Sequence, residues 1–122
     1  MIEHPVRILI VEDLEENRQA LKLLLQLSGF VCLEAADGRT ALQTATQAQP
    51  DLVLMDITLP DMNGLAVIEQ LRARAFKPPI IVVSAYDDEA SQQKARAVGA
   101  NDYLTKPIEF DRLKKMIAKH LA

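Results

Sequence analysis

The sequence predicts an α/β domain in which five strand–helix units, (βα)5, build a doubly wound, five-stranded parallel sheet. Three observations predict it. Five short apolar, β-branched runs recur along the 122 residues, and a helical pattern follows each of them. Runs such as "ILIV" and "IIVV" are apolar throughout, as strands covered on both faces should be. Strict alternation of strand and helix calls for right-handed crossovers, which place helices on both faces of a parallel sheet.

The first strand is read at "RILIV" (7–11). In "LEENRQALKLLLQLSG", which follows, Leu14, Leu21, Leu24, Leu25 and Ser28 share one face at helical spacing, and Gly29 stands where a C-terminal glycine belongs. The second strand is "VCLEA" (31–35), with a helix over 38–48; the third is "LVLM" (52–55), with a helix over 64–74. "IIVVS" (80–84) precedes a helix over 87–98, capped by Asp87 and stopped by Gly99. "DYL" (102–104) precedes a last helix over 109–121 that turns Phe110, Leu113 and Ile117 inward. Cys32 is expected to be a buried small hydrophobe, and His4 and His120 are expected to lie outside any site.

Length allows about one domain. We expect a single domain over residues 1–122, with its core at about 6–121 and no output domain. Forty-nine per cent apolar and 25 per cent charged residues suit a soluble protein, and no apolar run approaches the roughly 20 residues of a membrane helix. The opening "MIEHPVRILIV" lacks the order of a signal peptide, and the single cysteine has no internal partner. A cytoplasmic location follows as the expectation. A net charge of −3 without basic clusters excludes broad attraction to nucleic acid or anionic lipid.

In an open parallel sheet, ligands bind beyond the carboxyl ends of the strands. Those ends carry Glu12 and Asp13, Asp56, Ser84, and Lys106 with Pro107. Gathering Glu12, Asp13 and Asp56 in one cleft raises the energy of their ionised forms unless a cation offsets the repulsion. Hard oxygen donors, with no His or Cys beside them in sequence, select Mg²⁺. Lys106 and the Ser84 hydroxyl add groups suited to the spread charge of a phosphoryl group in transfer. Asp56 is then the natural nucleophile, giving an acyl phosphate.

These residues resemble the response-regulator receiver domains of two-component signalling, the family of the bacterial chemotaxis regulator. The likeness spans nearly the whole chain and is carried by "ILIVED", "DLVLMDITLPDMNGL", "IIVVSA" and "GANDYLTKP". It implies the flavodoxin-like receiver fold with strand order 2-1-3-4-5, and Mg²⁺-dependent phosphorylation of Asp56 by a sensor histidine kinase or a histidine phosphotransfer protein. It further implies that Glu12, Asp13, Asp56 and the Thr58 carbonyl hold the metal, directly or through water. Ser84 would bond the phosphoryl group, Lys106 would pair with it, and Tyr103 would be the switch residue. Ser84 would move toward the modified Asp56 and let the Tyr103 ring turn inward, reshaping the surface of the fourth helix, fifth strand and fifth helix for a downstream protein target. The chain would thus be a signalling switch rather than a turnover enzyme, a monomer or weak homodimer, with neither nucleic acid nor membrane as partner.

The Lys106–Pro107 peptide is expected to be cis, and small Ala85 to leave the site open. Glu12 stands where many relatives have aspartate, which favours a water-mediated contact. The resemblance implies that Thr58 and Tyr86 flank the site at positions that help set acyl-phosphate lifetime, and the bulk of Tyr86 is expected to slow hydrolysis. Ala20, Leu23 and Leu27 form a second apolar stripe on the first helix, about 140° round from the first. It either widens the core side or receives a helix of the phosphodonor.

Rival readings fail on specific positions. A haloacid-dehalogenase-type phosphatase needs a second aspartate where Thr58 stands, a flavodoxin does not carry the acidic "EDLEEN", and no GxxxxGK[ST] loop is present. The remaining alternative is a receiver-shaped interaction module that works without phosphorylation.

Overall fold

In the computed structural model, which describes residues 4–122, the elements follow in the order β1 (Arg7–Val11), α1 (Glu15–Leu27), β2 (Val31–Ala35), α2 (Gly38–Ala48), β3 (Leu52–Asp56), α3 (Gly64–Ala73), β4 (Ile80–Ser84), α4 (Glu89–Ala97), β5 (Asp102–Thr105) and α5 (Phe110–Leu121). All ladders are parallel and the strand order is 2-1-3-4-5. The expected fold is therefore the observed one. The expectation for residues 1–3 as part of the domain lies outside the described residues.

Alternation along each strand divides the core between two faces. Leu9, Val11, Val53, Met55, Val82 and Tyr103 point toward α2, α3 and α4, where Ala45, Val67, Leu71 and Ala95 meet them. Ile8, Ile10, Leu52, Leu54, Ile81 and Leu104 point toward α1 and α5, where Leu25, Leu113 and Ile117 close the layer. The inner strands are thus covered on both faces, and β3 and β4 are buried at every position. Gly29 and Gly99 follow α1 and α4 with φ of 94° and 115°, conformations that cost a glycine little and any other residue more.

Several local expectations are corrected. Leu14 does not join the inward face of α1: it is the N-cap, with extended backbone, and is 56% exposed. The helical wheel does not apply to a residue outside the helix. Leu24 is 42% exposed because it lies at the flank of α1, lining the gap toward α5. Ala20, Leu23 and Leu27 are all exposed, so the second stripe does not widen the core. The cap of α4 is Asp88, not Asp87, because the Asp88 carboxylate accepts from Ser91 N three residues on, at 3.0 Å. Cys32 is only partly buried, since β2 is an edge strand. β3 and β5 each run one residue further than the apolar runs suggest, to Asp56 and Thr105.

Among the described residues, no helix is long and apolar enough to cross a membrane.

Candidate functional site

Strand order reverses between β1 and β3, which lie side by side at the centre of the sheet. Their carboxyl ends deliver Glu12, Asp13 and Asp56 to one place. Carboxylate oxygens from the three residues all lie within 4.8 Å of one another. Glu12 and Asp56 are 6% and 7% exposed, while Asp13 is less buried. Such crowding of partly desolvated anions needs positive charge, and the chain supplies one unit of it. Lys106 Nζ donates to Asp56 Oδ2 at 2.8 Å and to Glu12 Oε1 at 3.1 Å. Partial burial would lower the Lys106 pKa, but hydrogen bonds and attraction from Asp56 and Glu12 outweigh it, and the net shift is upward. The ammonium therefore stays charged at neutral pH.

One ammonium facing three carboxylates leaves an acidic, oxygen-only donor set. Those donors fit a hard divalent cation that keeps part of its water shell, as Mg²⁺ does. The other Asp56 oxygen, Oδ1, accepts from Thr58 N at 3.1 Å, which orients the carboxylate at the end of its strand. The β3–α3 loop is drawn back against that strand by the bond from Gly64 N to Ile57 O, at 2.7 Å. A Cβ at Gly64 would collide with the Asp56 carbonyl, so glycine here permits the close approach of α3.

Ser84 ends β4, one residue beyond the Val83 that pairs with Asp56, and is 2% exposed. Its carbonyl accepts from Lys106 N at 2.7 Å, so the strand end bearing Ser84 also positions the lysine. Its hydroxyl accepts from Tyr86 N at 3.1 Å. Tyr103 is buried on β5 and donates its hydroxyl to the Tyr86 carbonyl at 2.6 Å. Ser84 and Tyr103 thus meet through one residue of the β4–α4 loop, whereas Tyr86's own side chain and Ala85 are exposed. Thr58 is exposed as well, and the Lys106–Pro107 peptide is cis.

Beside the carboxylates a groove of about 570 Å³ opens between α1 and the segment leading into α5. Glu12, Asp56 and Lys106 form its polar end; Leu21, Leu24 and Phe110 form part of its apolar wall. Sequence reasoning missed two side chains here. Asn17 Nδ2 reaches Glu12 Oε1 at 3.4 Å, and Arg18 Nη1 donates to the Glu12 carbonyl at 2.9 Å. Their positions, five and six residues after Glu12 on α1, were the available signal, but a helical polar residue that turns back to its own N-terminus looks like any solvated one.

The chain is similar in sequence and in fold to known proteins. Protein PilH of Pseudomonas aeruginosa is 38% identical over 118 residues, covering 95% of this chain and 98% of PilH. Regulatory protein AtoC of Escherichia coli K12 is 36% identical over 115 residues, covering 94% of this chain and 25% of AtoC. The chain spans half or less of the length of several further curated relatives. Among solved structures, the Vibrio cholerae chemotaxis protein CheY4 superposes with a TM-score of 0.91 at 31% identity, covering 97% of this chain and all of that one. Residues 8–118 match the family described as the response regulator receiver domain. With that match over most of the chain and the strand order 2-1-3-4-5, the chain belongs to the response regulator receiver domains.

Proposed function

We propose that Asp56 is the phosphoacceptor of a two-component switch and that Glu12, Asp13, Asp56 and the Thr58 carbonyl hold the Mg²⁺ on which transfer depends. Receiver domains of response regulators are phosphorylated by histidine kinases and bind Mg²⁺ in an acidic pocket. The observation that carries the reading here is Lys106 Nζ bridging Asp56 and Glu12 with Asp13 beside them. When bound, the ion supplies positive charge against the phosphoryl oxygens.

The chain's own residues account for the rest. An Asp56 oxygen forms the new bond to phosphorus; the phosphorus–nitrogen bond of the donor phosphohistidine breaks, and its electron pair returns to the imidazole. The Lys106 ammonium faces the added negative charge, and the Ser84 hydroxyl, next to Asp56 on the neighbouring strand, turns from the Tyr86 amide to donate to a phosphoryl oxygen. That movement releases one of the two Tyr86 backbone contacts; the other is made by Tyr103. The α4–β5–α5 surface then changes its population of states for a downstream protein, which needs a few kcal/mol of differential interaction. The donor is a sensor histidine kinase or a histidine phosphotransfer protein, whose helix lies over the exposed α1 leucines beside the site.

Intact mass after incubation with Mg²⁺ and acetyl phosphate tests the proposal. One added phosphoryl group is expected, labile to hydroxylamine and absent both from Asp56→Asn and from the metal-free reaction. No adduct, together with no beryllofluoride binding, would leave a phosphorylation-independent interaction module as the better reading.

A further inference from the structure

The loop that carries Glu12 and Asp13 is short, running from the end of β1 at Val11 to the start of α1 at Glu15. Little holds it. Glu12 N makes the last ladder bond, to Ala35 O at 3.1 Å, after which β2 ends. Leu14, the N-cap of α1, offers no side-chain cap, and the Glu12 carboxylate reaches Leu14 N only at 3.4 Å. The Glu12 carbonyl would therefore leave the sheet without a partner, and it is Arg18 that bonds it, at 2.9 Å. Among the described residues this is the shortest side-chain bond made to the main chain of the loop.

Arg18 is itself held in place. Its side chain is 13% exposed, and its Nε donates to Glu34 Oε1 at 3.0 Å. Glu34, on β2, also accepts from Gln19 at 2.6 Å and from Lys22 at 2.7 Å. The Lys22 hydrogen bond chiefly holds the Glu34 carboxyl below its ordinary pKa, against burial and with help from Arg18 and Gln19. An ionised Glu34 thus anchors one edge of the guanidinium while the other edge reaches the acidic loop. The planar guanidinium holds these two donors at a fixed separation and angle, which suits arginine to acceptors this far apart better than the point-like ammonium of lysine.

We propose that Arg18, braced by Glu34, is a positioning residue that fixes the Glu12–Asp13 loop in the conformation that takes Mg²⁺. The inference rests on the assignment of the acidic cluster to that ion. Neither residue is among the groups that would hold the metal. Their effect passes through the Glu12 carbonyl, and outer-shell partners of this kind set how closely the ligands are held before binding.

The test is a Mg²⁺ titration of the isotope-labelled chain followed by amide NMR shifts, with no phosphodonor present. Arg18→Met is expected to weaken Mg²⁺ binding about tenfold, and Glu34→Gln to weaken it in the same direction by a smaller factor. Arg72→Met is the control for loss of stability alone. Arg72 bonds the Phe76, Pro78 and Gly99 carbonyls, away from the acidic loop, and its loss should lower Tm while leaving the Kd for Mg²⁺ within about twofold of wild type. Wild-type affinity in both Arg18→Met and Glu34→Gln would overturn the inference, as would equal weakening in Arg72→Met. Glu34→Gln, a neutral isostere on an edge strand, keeps the test open if Arg18→Met does not fold. A wild-type chain without saturable shifts would overturn the metal assignment itself, an outcome distinct from unchanged variants of a chain that binds.

Discussion

His120 Nε2 lies 2.9 Å from Asp102 Oδ2 and ties the last turn of α5 to the first residue of β5. Both side chains are largely buried, and Lys119 Nζ approaches the same oxygen at 3.8 Å. Burial would raise the Asp102 pKa, but bonds from His120 and the Tyr103 amide, with attraction from Lys119, hold it below its ordinary 3.8. A depressed carboxyl stabilises the fold above the unfolded-state pKa and stops doing so as the pH falls through the folded-state value. Asp102→Asn should therefore be less stable than wild type at neutral pH by about 1 kcal/mol, with the gap closing below pH 3.8. Urea unfolding across this range checks it. A gap independent of pH would remove the carboxylate from the explanation.

Lys106 has the opposite pH dependence. Its raised pKa means that its contribution is complete below 10.5 and is lost as the pH climbs through the higher folded-state value. Lys106→Met leaves Glu12 and Asp56 facing one another without the ammonium. The expected cost is about 2 kcal/mol, less than for a fully buried pair because the lysine is partly exposed. Added Mg²⁺ should recover part of that loss, and denaturant midpoints with and without the ion measure the recovery.

Two glycines should respond differently to alanine. At Gly29, φ is +94° with nothing within 4 Å of an added Cβ, so Gly29→Ala costs only the backbone strain of about 1 kcal/mol. At Gly64 the new carbon meets the Asp56 carbonyl and the Ile57 Cα, and the cost should be about 1–3 kcal/mol. Gly64→Ala should also slow adduct formation with acetyl phosphate, because the displaced backbone belongs to the acceptor residue. Equal adduct rates in the two variants would contradict this.

Leu23 and Leu27 are 58% and 76% exposed on α1. Changing both to glutamine should alter stability by no more than about 0.5 kcal/mol. Phosphotransfer from the cognate donor should fall about tenfold in kcat/KM, the loss of one modest apolar contact region. Reaction with acetyl phosphate, which needs no docking helix, should be unchanged. Unaltered transfer from the protein donor would remove α1 from the docking surface.

The ten elements were legible because each depends on local pattern. Apolar runs such as "IIVV" alternating with helical patterns are characteristic of a parallel sheet covered on both faces, and the intervening helices declare themselves by spacing. The strand-end residues were legible for a related reason: Asp56, Glu12 and Lys106 follow apolar runs, and a parallel sheet puts all such ends on one edge. Misreadings arose at helix boundaries and where a neighbouring element decides exposure. Leu14 and Leu24 have helical spacing, yet the start of α1 and the gap toward α5 decide their exposure. Asp87 and Asp88 are equivalent as caps until the amide of Ser91 selects one.

The sequence by itself thus determined the order of strands and helices and the chemical kind of the site, since both are written in periodicity and residue type. Only the tertiary structure decided that Lys106 spans 94 residues of chain to reach Glu12, that Arg18 turns back to the Glu12 carbonyl and across to Glu34, and that His120 meets Asp102. Such bonds act over about 3 Å. Their partners are set by how helices pack on the sheet, which no stretch of local sequence records.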